Sequence, residues 1–379
     1  MVRQVVLVGM GYAHLHVLRR WASHPPPDAR LVCVTDTPAV IYSGMVPGLL
    51  AGEYAPSEAL IDIGALTNAA SAELHVASMT GIDRATRTVT LDRGQPVPFD
   101  VLSIAVGSQP SFEGVTIVDA SRLVPHKPLA SLLDRLERTW TEAQAGLHGR
   151  APRLIVVGGG ASGVELALCA PIYLRRISPD LQVTLLAGER GVLGDESPAA
   201  SVRALRALTA AGVEVFSGLR VTGINGGTVT AAGGSSLVGE AILWATTSAP
   251  APVINATDLP TGADGFPVTE HTLRVVGDAR VFVAGDAGTF RGRRARKSGV
   301  VAVRQGPVLD ANIRRVLADE PLVLFHQPRR MLRILNLGNG RSLAEWGPWS
   351  AEGRWVRRWK DHLDRRFMRR TAGPQRAGR

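Results

Sequence analysis

Two glycine-rich turns have the spacing needed to grip a phosphate. The first, Gly9-Met10-Gly11-Tyr12-Ala13-His14, follows the β-branched run Val5-Val6-Leu7-Val8 directly. Gly9 would make the tight turn, and Gly11 would let a pyrophosphate approach backbone N–H groups at a helix N-terminus. His14 stands where close helix–strand packing usually wants a third glycine. The next apolar run, Leu31-Val32-Cys33-Val34-Thr35, ends in Asp36, placed to accept both hydrogen bonds from an adenosine ribose. A solvated turn aspartate is the competing reading. The second turn, Gly158-Gly159-Gly160-Ala161-Ser162-Gly163, follows Leu154-Ile155-Val156-Val157 and keeps all three glycines.

Each turn needs a strand before it and a helix after it. The first helix reads as 15–21, ending before Pro25-Pro26-Pro27, and the second as bent or ended by Pro171. At a similar distance behind each turn comes another strand running into small residues. These are Val101-Leu102-Ser103-Ile104-Ala105-Val106-Gly107 and Ala241-Ile242-Leu243-Trp244-Ala245. The repeated layout implies two similar units and therefore two dinucleotides, which suits a flavin plus a nicotinamide.

At 379 residues the chain accommodates two domains and a tail. The net charge is +10, and of 43 Lys and Arg only Lys127, Lys297 and Lys360 are lysines, the skew of a G+C-rich genome. No helix-turn-helix, zinc-finger spacing or RNA-binding aromatic strand accompanies the charge, so no nucleic-acid partner is expected. Cys33 and Cys169 form no C-x-x-C pair for dithiol or zinc chemistry. The N-terminal apolar run is too short for a signal peptide and no eighteen apolar residues run together, so a cytoplasmic protein is expected.

Three further segments carry a family resemblance: Tyr42-Ser43-Gly44-Met45-Val46-Pro47-Gly48, Val281-Phe282-Val283-Ala284-Gly285-Asp286 and Arg304-Gln305-Gly306-Pro307, with Trp359-Lys360-Asp361 near the C-terminus. With the two glycine turns they make the chain resemble the two-dinucleotide-binding-domain flavoproteins. That group includes type II NADH:quinone oxidoreductases, sulfide:quinone oxidoreductases and apoptosis-inducing factor. Within it the chain looks most like the flavoprotein module fused ahead of selenide, water dikinase.

The resemblance implies an α/β fold of two Rossmann-like domains plus a C-terminal cap with an amphipathic helix. Residues 1–120 and 250–320 would bind FAD, 121–249 NAD(P)H, and 321–379 would form the cap. Gly9, Gly11 and Asp36 would hold the ADP half of FAD, with Tyr12, Ala13, His14, Ala105 and Gly107 as further cofactor-binding residues. Asp286 would bind the ribityl chain, with Gly285 allowing close approach; Gly44, Met45, Val46 and Pro47, with Ser43 before them, would pass close to the isoalloxazine, and Gln305 would contact the flavin or the quinone pocket. Gly158, Gly160, Ser162, Gly163 and Arg190 would hold the nicotinamide dinucleotide. Glu165 would lie near flavin and nicotinamide, and Lys297 would put a cation near the reduced flavin. The bland readings are a dipole-assisted first-turn glutamate and a solvated basic loop 291–297.

The implied reaction is hydride transfer from NAD(P)H to FAD and onward electron transfer to a quinone or similar acceptor. The alternatives are a reductase of a small iron protein and a flavin-bearing redox sensor. Without a cysteine pair, dithiol chemistry and sulfide oxidation are excluded. The strand Val183-Thr184-Leu185-Leu186 ends at Ala187, not at an acid, so Arg190 favours NADPH or dual use, with Glu189 as the competing ribose acceptor. In 354–370, Trp355, Trp359, Leu363 and Phe367 recur every four residues beside eight Arg or Lys and two Asp. That stripe suits either peripheral membrane contact or packing on the FAD domain or on a second subunit as a homodimer.

Overall fold

A computed structural model describes residues 2–144, 151–195, 197–292, 295, 297–328 and 330–371. The first glycine turn leaves a sheet of five parallel strands, ordered Val281–Val283, Val101–Ile104, Arg3–Val8, Ala29–Thr35, Glu73–Val76. The central stretches Val5–Val8, Leu31–Val34 and Val101–Ile104 are buried because both faces are covered, whereas the edge strand Glu73–Val76 is partly exposed. Helices Tyr12–Ser23 and Gly299–Leu317 pack on one face, and a three-stranded antiparallel sheet spanning 79–98 packs Met79, Val89 and Val97 on the other.

The second sheet repeats the plan with Leu123–Pro125, Ala241–Trp244, Arg153–Val157, Gln182–Leu186 and Val213–Phe216, again all parallel. Helices Leu132–Gln144, Ala161–Leu174 and Pro198–Ala210 cover one face around Trp140 and Leu166. Val221, Ile224 and Val229 of a small β-meander cover the other. The chain is thus an α/β protein of two Rossmann-like dinucleotide-binding domains. Its first sheet draws strands from both sides of the second in sequence. The two crossings, Ser108–Pro110 and Ser248–Pro250, pair antiparallel with each other.

Behind the two sheets, Leu332–Asn336, Ser342–Trp346 and Trp349–Gly353 form an antiparallel sheet that leads into the helix Arg354–Thr371. Two sequence expectations change in detail. The first helix begins at Tyr12, and the second runs past Pro171 to Leu174. Proline removes only its own N–H donor, and the Pro171 carbonyl still accepts from Arg175 N at 2.9 Å. The charged stretch 134–149 reads in the sequence as a helix and loop leading into the inserted unit; the helix is Leu132–Gln144, and residues 145–150 lie outside the described residues.

His14 explains how the first turn dispenses with its third glycine. Its ring is fully buried, bridging Ser103 Oγ at 2.8 Å and the Gly9 carbonyl at 2.5 Å. Helix and strand are held by a hydrogen-bonded spacer instead of by direct backbone approach. Loss of water lowers its pKa to about 4, partly offset by the Gly9 carbonyl. His126 is lowered to about 4 by burial and then by the charge of Lys127. Both histidines protonate earlier in the unfolded chain, whose value is 6.5, so their neutral burial is fully favourable above pH 6.5 and is lost as pH falls toward 4. Melting temperature is expected to drop between pH 6.5 and 5, before most carboxylates titrate, at up to ~3 kcal/mol per histidine at the acid limit. His14→Gln should flatten the slope, and a flat wild-type profile over this window would contradict the assignment.

Candidate dinucleotide sites and the seam between them

The first turn is shaped for close approach. Gly9 has φ +78°, and a Cβ on Gly11 would stand 2.7 Å from the Ala105 carbonyl oxygen, which accepts from Gly11 N at 3.2 Å. Tyr12 donates to Ser43 Oγ at 2.6 Å and accepts from Ser43 N at 2.8 Å, tying the helix to the 42–48 loop. Burial raises the Tyr12 phenol to about 12. Ala13 is buried, and Asp36 is exposed past the end of the adjacent strand, without a hydrogen-bond partner among the described residues. Gly107 turns the neighbouring strand with φ +74°.

Across that strand, Gly285 has φ +68° and its N–H donates to the buried Gln305 Oε1 at 2.5 Å. Asp286 has two unlike oxygens. Oδ2 lies 3.2 Å from Lys127 Nζ, while Oδ1 is buried with no hydrogen-bond partner. A desolvated carboxylate oxygen without a donor costs about 1–3 kcal/mol or more, so this atom calls for a donor from outside the chain. A row of ribityl hydroxyls fits that demand, and FAD fits the first turn and Asp286 together.

Glu165 stands at the seam between the two units and the C-terminal helix. Its helix packs on Val46–Leu50, directly after the Ser43–Met45 turn. Glu165 Oε1 accepts from Asn336 N at 2.7 Å. Its pKa rises to about 7, chiefly through loss of water, opposed by Lys360 and the Asn336 N–H and assisted by Asp364. Lys360, only 6% exposed, donates to the Gly44 carbonyl at 2.5 Å and to Asp364 Oδ2 at 2.8 Å. Burial also raises Asp364, whose Oδ1 accepts from Tyr42 at 3.2 Å. Beside them Glu53 Oε2 receives Arg357 Nη2 at 2.7 Å and Asn336 Nδ2 at 2.5 Å.

The second turn is tighter. Gly158 has φ +127° and a Cβ there would lie 2.2 Å from the Ala245 oxygen, while one on Gly163 would meet Gly158 O at 1.7 Å. Gly160 and Ser162 remain exposed at the helix start. Outside the sheet's carboxyl ends lies a cleft of about 310 Å³, lined by Gly158, Gly188, Arg220, Trp244 and Thr246 among others. That is where an open parallel sheet binds ligands.

The predicted residues do not all converge. Arg190 forms an exposed ion pair with Asp195 at 2.5 Å, whereas Arg220 lines the cleft and has no ion pair among the described residues. Lys297 Nζ donates to the Gly288 carbonyl and lies 3.4 Å above the Phe266 ring. Arg293, Arg294 and Arg296 of the same basic run are outside the described residues. The C-terminal stripe is divided: Trp355 and Trp359 stack on each other in solvent, while Phe367 stacks on Tyr42 at 4.3 Å. Sequence reasoning gave no role to Asn336, Glu53, Arg357, Asp364, Arg220 or Lys127. It quoted Lys360 only within a motif. The one available signal was the scarcity of lysine in so arginine-rich a chain.

Two nucleotide-shaped turns, one in each Rossmann-like unit, with a half-buried acid at the seam, fit an oxidoreductase of the two-dinucleotide class. A profile of the pyridine nucleotide-disulphide oxidoreductases matches residues 3–306, and the chain belongs to that family, which binds FAD and NAD(P)H. An NADH dehydrogenase-like protein of Mycobacterium tuberculosis is 27% identical over 309 residues, 76% of this chain and 73% of that protein. The demethylphylloquinone reductase of Synechocystis is 26% identical over 331 residues, 80% and 76% of the two chains. NDH2 from Plasmodium falciparum, solved with NADH, shares the fold with a TM-score of 0.79 at 12% identity over 97% of both chains. Despite the family's name, Cys33 and Cys169 are both buried and free, one in each unit.

Arg220 lines the cleft while Arg190 is held by Asp195, so the two arginines differ in what they are expected to do for nucleotide choice. Arg220→Ala should raise the KM for NADPH about tenfold or more and leave NADH nearly unchanged, as loss of one guanidinium–phosphate contact implies. Arg190→Ala should change neither KM. Steady-state kinetics with both nucleotides distinguishes them, and a selective NADPH defect in Arg190→Ala alone would reverse the assignment.

Proposed function

We propose that this protein is an FAD-dependent NAD(P)H:quinone oxidoreductase. In this reading 1–120 with 250–320 hold FAD, 121–249 hold NAD(P)H, and 321–379 close the seam and face the acceptor. The observation that carries it is Glu165, a carboxyl poised near neutrality beside the buried Lys360 and against the 44–47 loop, in a chain with no thiol pair. The named relatives include a quinone reductase, which supports the same acceptor class. The likeness to the module fused to selenide, water dikinase rests on the short sequence motifs and brings no selenium chemistry.

FAD, when bound, supplies the hydride-accepting and electron-passing chemistry. The chain's part is to hold and to protonate. Gly9 and Gly11 would open the backbone to a pyrophosphate, Asp286 would hold the ribityl chain, and Gly158 to Gly163 would seat the nicotinamide dinucleotide. A hydride carries two electrons and one proton, whereas a quinone needs two protons to become a hydroquinone. Glu165 holds the second on Oε2, since Oε1 is taken by Asn336 N–H. Lys360 and Asp364 set how tightly that proton is held.

Acceptor access follows from the surface. Trp346, Trp349, Trp355 and Trp359 are 52%, 71%, 58% and 39% exposed near the arginines of the C-terminal helix. No helix among the described residues is long and apolar enough to cross a membrane. Interfacial tryptophans with basic neighbours instead suit contact with an anionic lipid surface, where a quinone dissolves.

The protein is expected to bind FAD, to lose its flavin colour when mixed anaerobically with NADPH or NADH, and to regain it on adding a water-soluble quinone. Trp355→Ser/Trp359→Ser should keep that turnover but stop sedimenting with anionic liposomes. Cutting the chain at Gly353 is a poorer test, because it also removes Lys360 and Phe367. Flavin that bleaches but ignores quinones would refute the acceptor, and equal sedimentation of both forms would refute the membrane contact.

A further inference from the structure

Three lysines among 43 cationic residues are few enough to ask what each does. Two of the three ammonium groups donate around the proposed flavin site, Lys360 to the Gly44 carbonyl and Lys127 to Asp286 and Ser108, while Lys297 donates to the Gly288 carbonyl. A guanidinium is a wide planar fork, while an ammonium is a compact charge that can turn three donors onto one or two oxygens. These are positions where arginine, the cation favoured elsewhere in this chain, does not match the geometry.

Lys127 is the one that crosses between units. It follows the strand Leu123–Pro125 of the second sheet, and the preceding residue is pinned there, with His126 N donating to Trp244 O at 2.9 Å and its ring nitrogen 3.0 Å from the same oxygen. From that anchor Nζ reaches Ser108 Oγ at 2.9 Å, on the interdomain crossing, and Asp286 Oδ2 at 3.2 Å, at the end of the first sheet. The pair is partly exposed, with side-chain exposures of 26% and 19%. Lys127 therefore occupies Oδ2 of Asp286, while Oδ1 stays buried without a hydrogen-bond partner among the described residues.

We propose that Lys127 is a positioning residue of the flavin site, lent to it by the nicotinamide-binding unit. It fixes the rotation of the Asp286 carboxylate so that Oδ1 meets a ribityl hydroxyl, and it neutralises the carboxylate beside the flavin. Flavin retention is thereby tied to the placement of the second unit. This rests on the reading of Asp286 as a flavin ligand.

The test uses full-length protein, reconstituted with FAD. Lys127→Met is expected to raise the FAD dissociation constant at least tenfold and to shift the flavin midpoint potential negative, because an unneutralised Asp286 opposes the anionic reduced flavin. The apoprotein should melt within a few degrees of wild type, as a bridge this close to solvent contributes little to folding. Lys127→Arg restores the charge, so the potential should return toward wild type while the affinity does not. Ser108→Ala removes an acceptor of Lys127 and the 3.5 Å donation from Ser108 Oγ to Asp286 Oδ2, and should weaken FAD in the same direction by less, a check on the Lys127–Ser108–Asp286 cluster that stands if the Met variant misfolds. Wild-type affinity and potential in Lys127→Met would overturn the proposal and leave the flavin site standing. A wild-type protein that takes up no FAD would overturn that site, and the role of Lys127 with it.

Discussion

An ammonium group buried at the seam organises much of this molecule. Taking a lysine charge out of water costs several kcal/mol unless it is paired and hydrogen-bonded. Lys360 meets that demand with the Asp364 carboxylate one turn along its own helix and the Gly44 carbonyl of the first unit. Neither can move without exposing an uncompensated charge. The C-terminal helix is thus held on the 42–48 loop by electrostatics as much as by the Phe367–Tyr42 stack. The loop is held in turn by Tyr12, which belongs to the helix of the first glycine turn.

The same charge reaches the second unit through Glu165, whose helix starts at the second glycine turn. Burial drives its carboxyl toward the neutral acid and Lys360 pulls it back, leaving it near 7. A group balanced there can give up and recover a proton at physiological pH, which neither an exposed glutamate nor a deeply buried one would do. Asn336 N–H fixes which oxygen is free, and Glu53 with Arg357 hold the Asn336 side chain. Three parts of the chain, distant in sequence, meet within this one polar network.

Local signals and global ones were not equally legible in the sequence. Both glycine turns, their strands and the duplicated layout could be read directly, because φ above zero and backbone approach to Ala105 and Ala245 leave glycine little competition. His14 was legible as a departure, but its role as a spacer depends on Ser103, a residue of another strand. The seam was mostly hidden, since Lys360, Asn336 and Glu53 carry no local pattern and become neighbours only by folding. Helical periodicity in 354–370 correctly showed an amphipathic helix. It could not show that the burial boundary cuts across the stripe, setting Trp355 and Trp359 in solvent and Phe367 on Tyr42. Arg190 shows the limit of proximity in sequence, because Asp195 engages it while Arg220, from a later loop, lines the cleft.

The central claim is that Glu165 supplies a proton to the reduced acceptor under the control of Lys360. It is tested most directly by the pH dependence of flavin reoxidation by a water-soluble quinone in single-turnover experiments. Wild-type protein should slow as pH rises through about 7, where the folded carboxyl loses its proton. Glu165→Gln should be slow and nearly flat across that range, and Lys360→Met should move the decline to higher pH because the charge that lowers the Glu165 pKa is gone. A Glu165→Gln protein with the wild-type profile and rate would contradict the account.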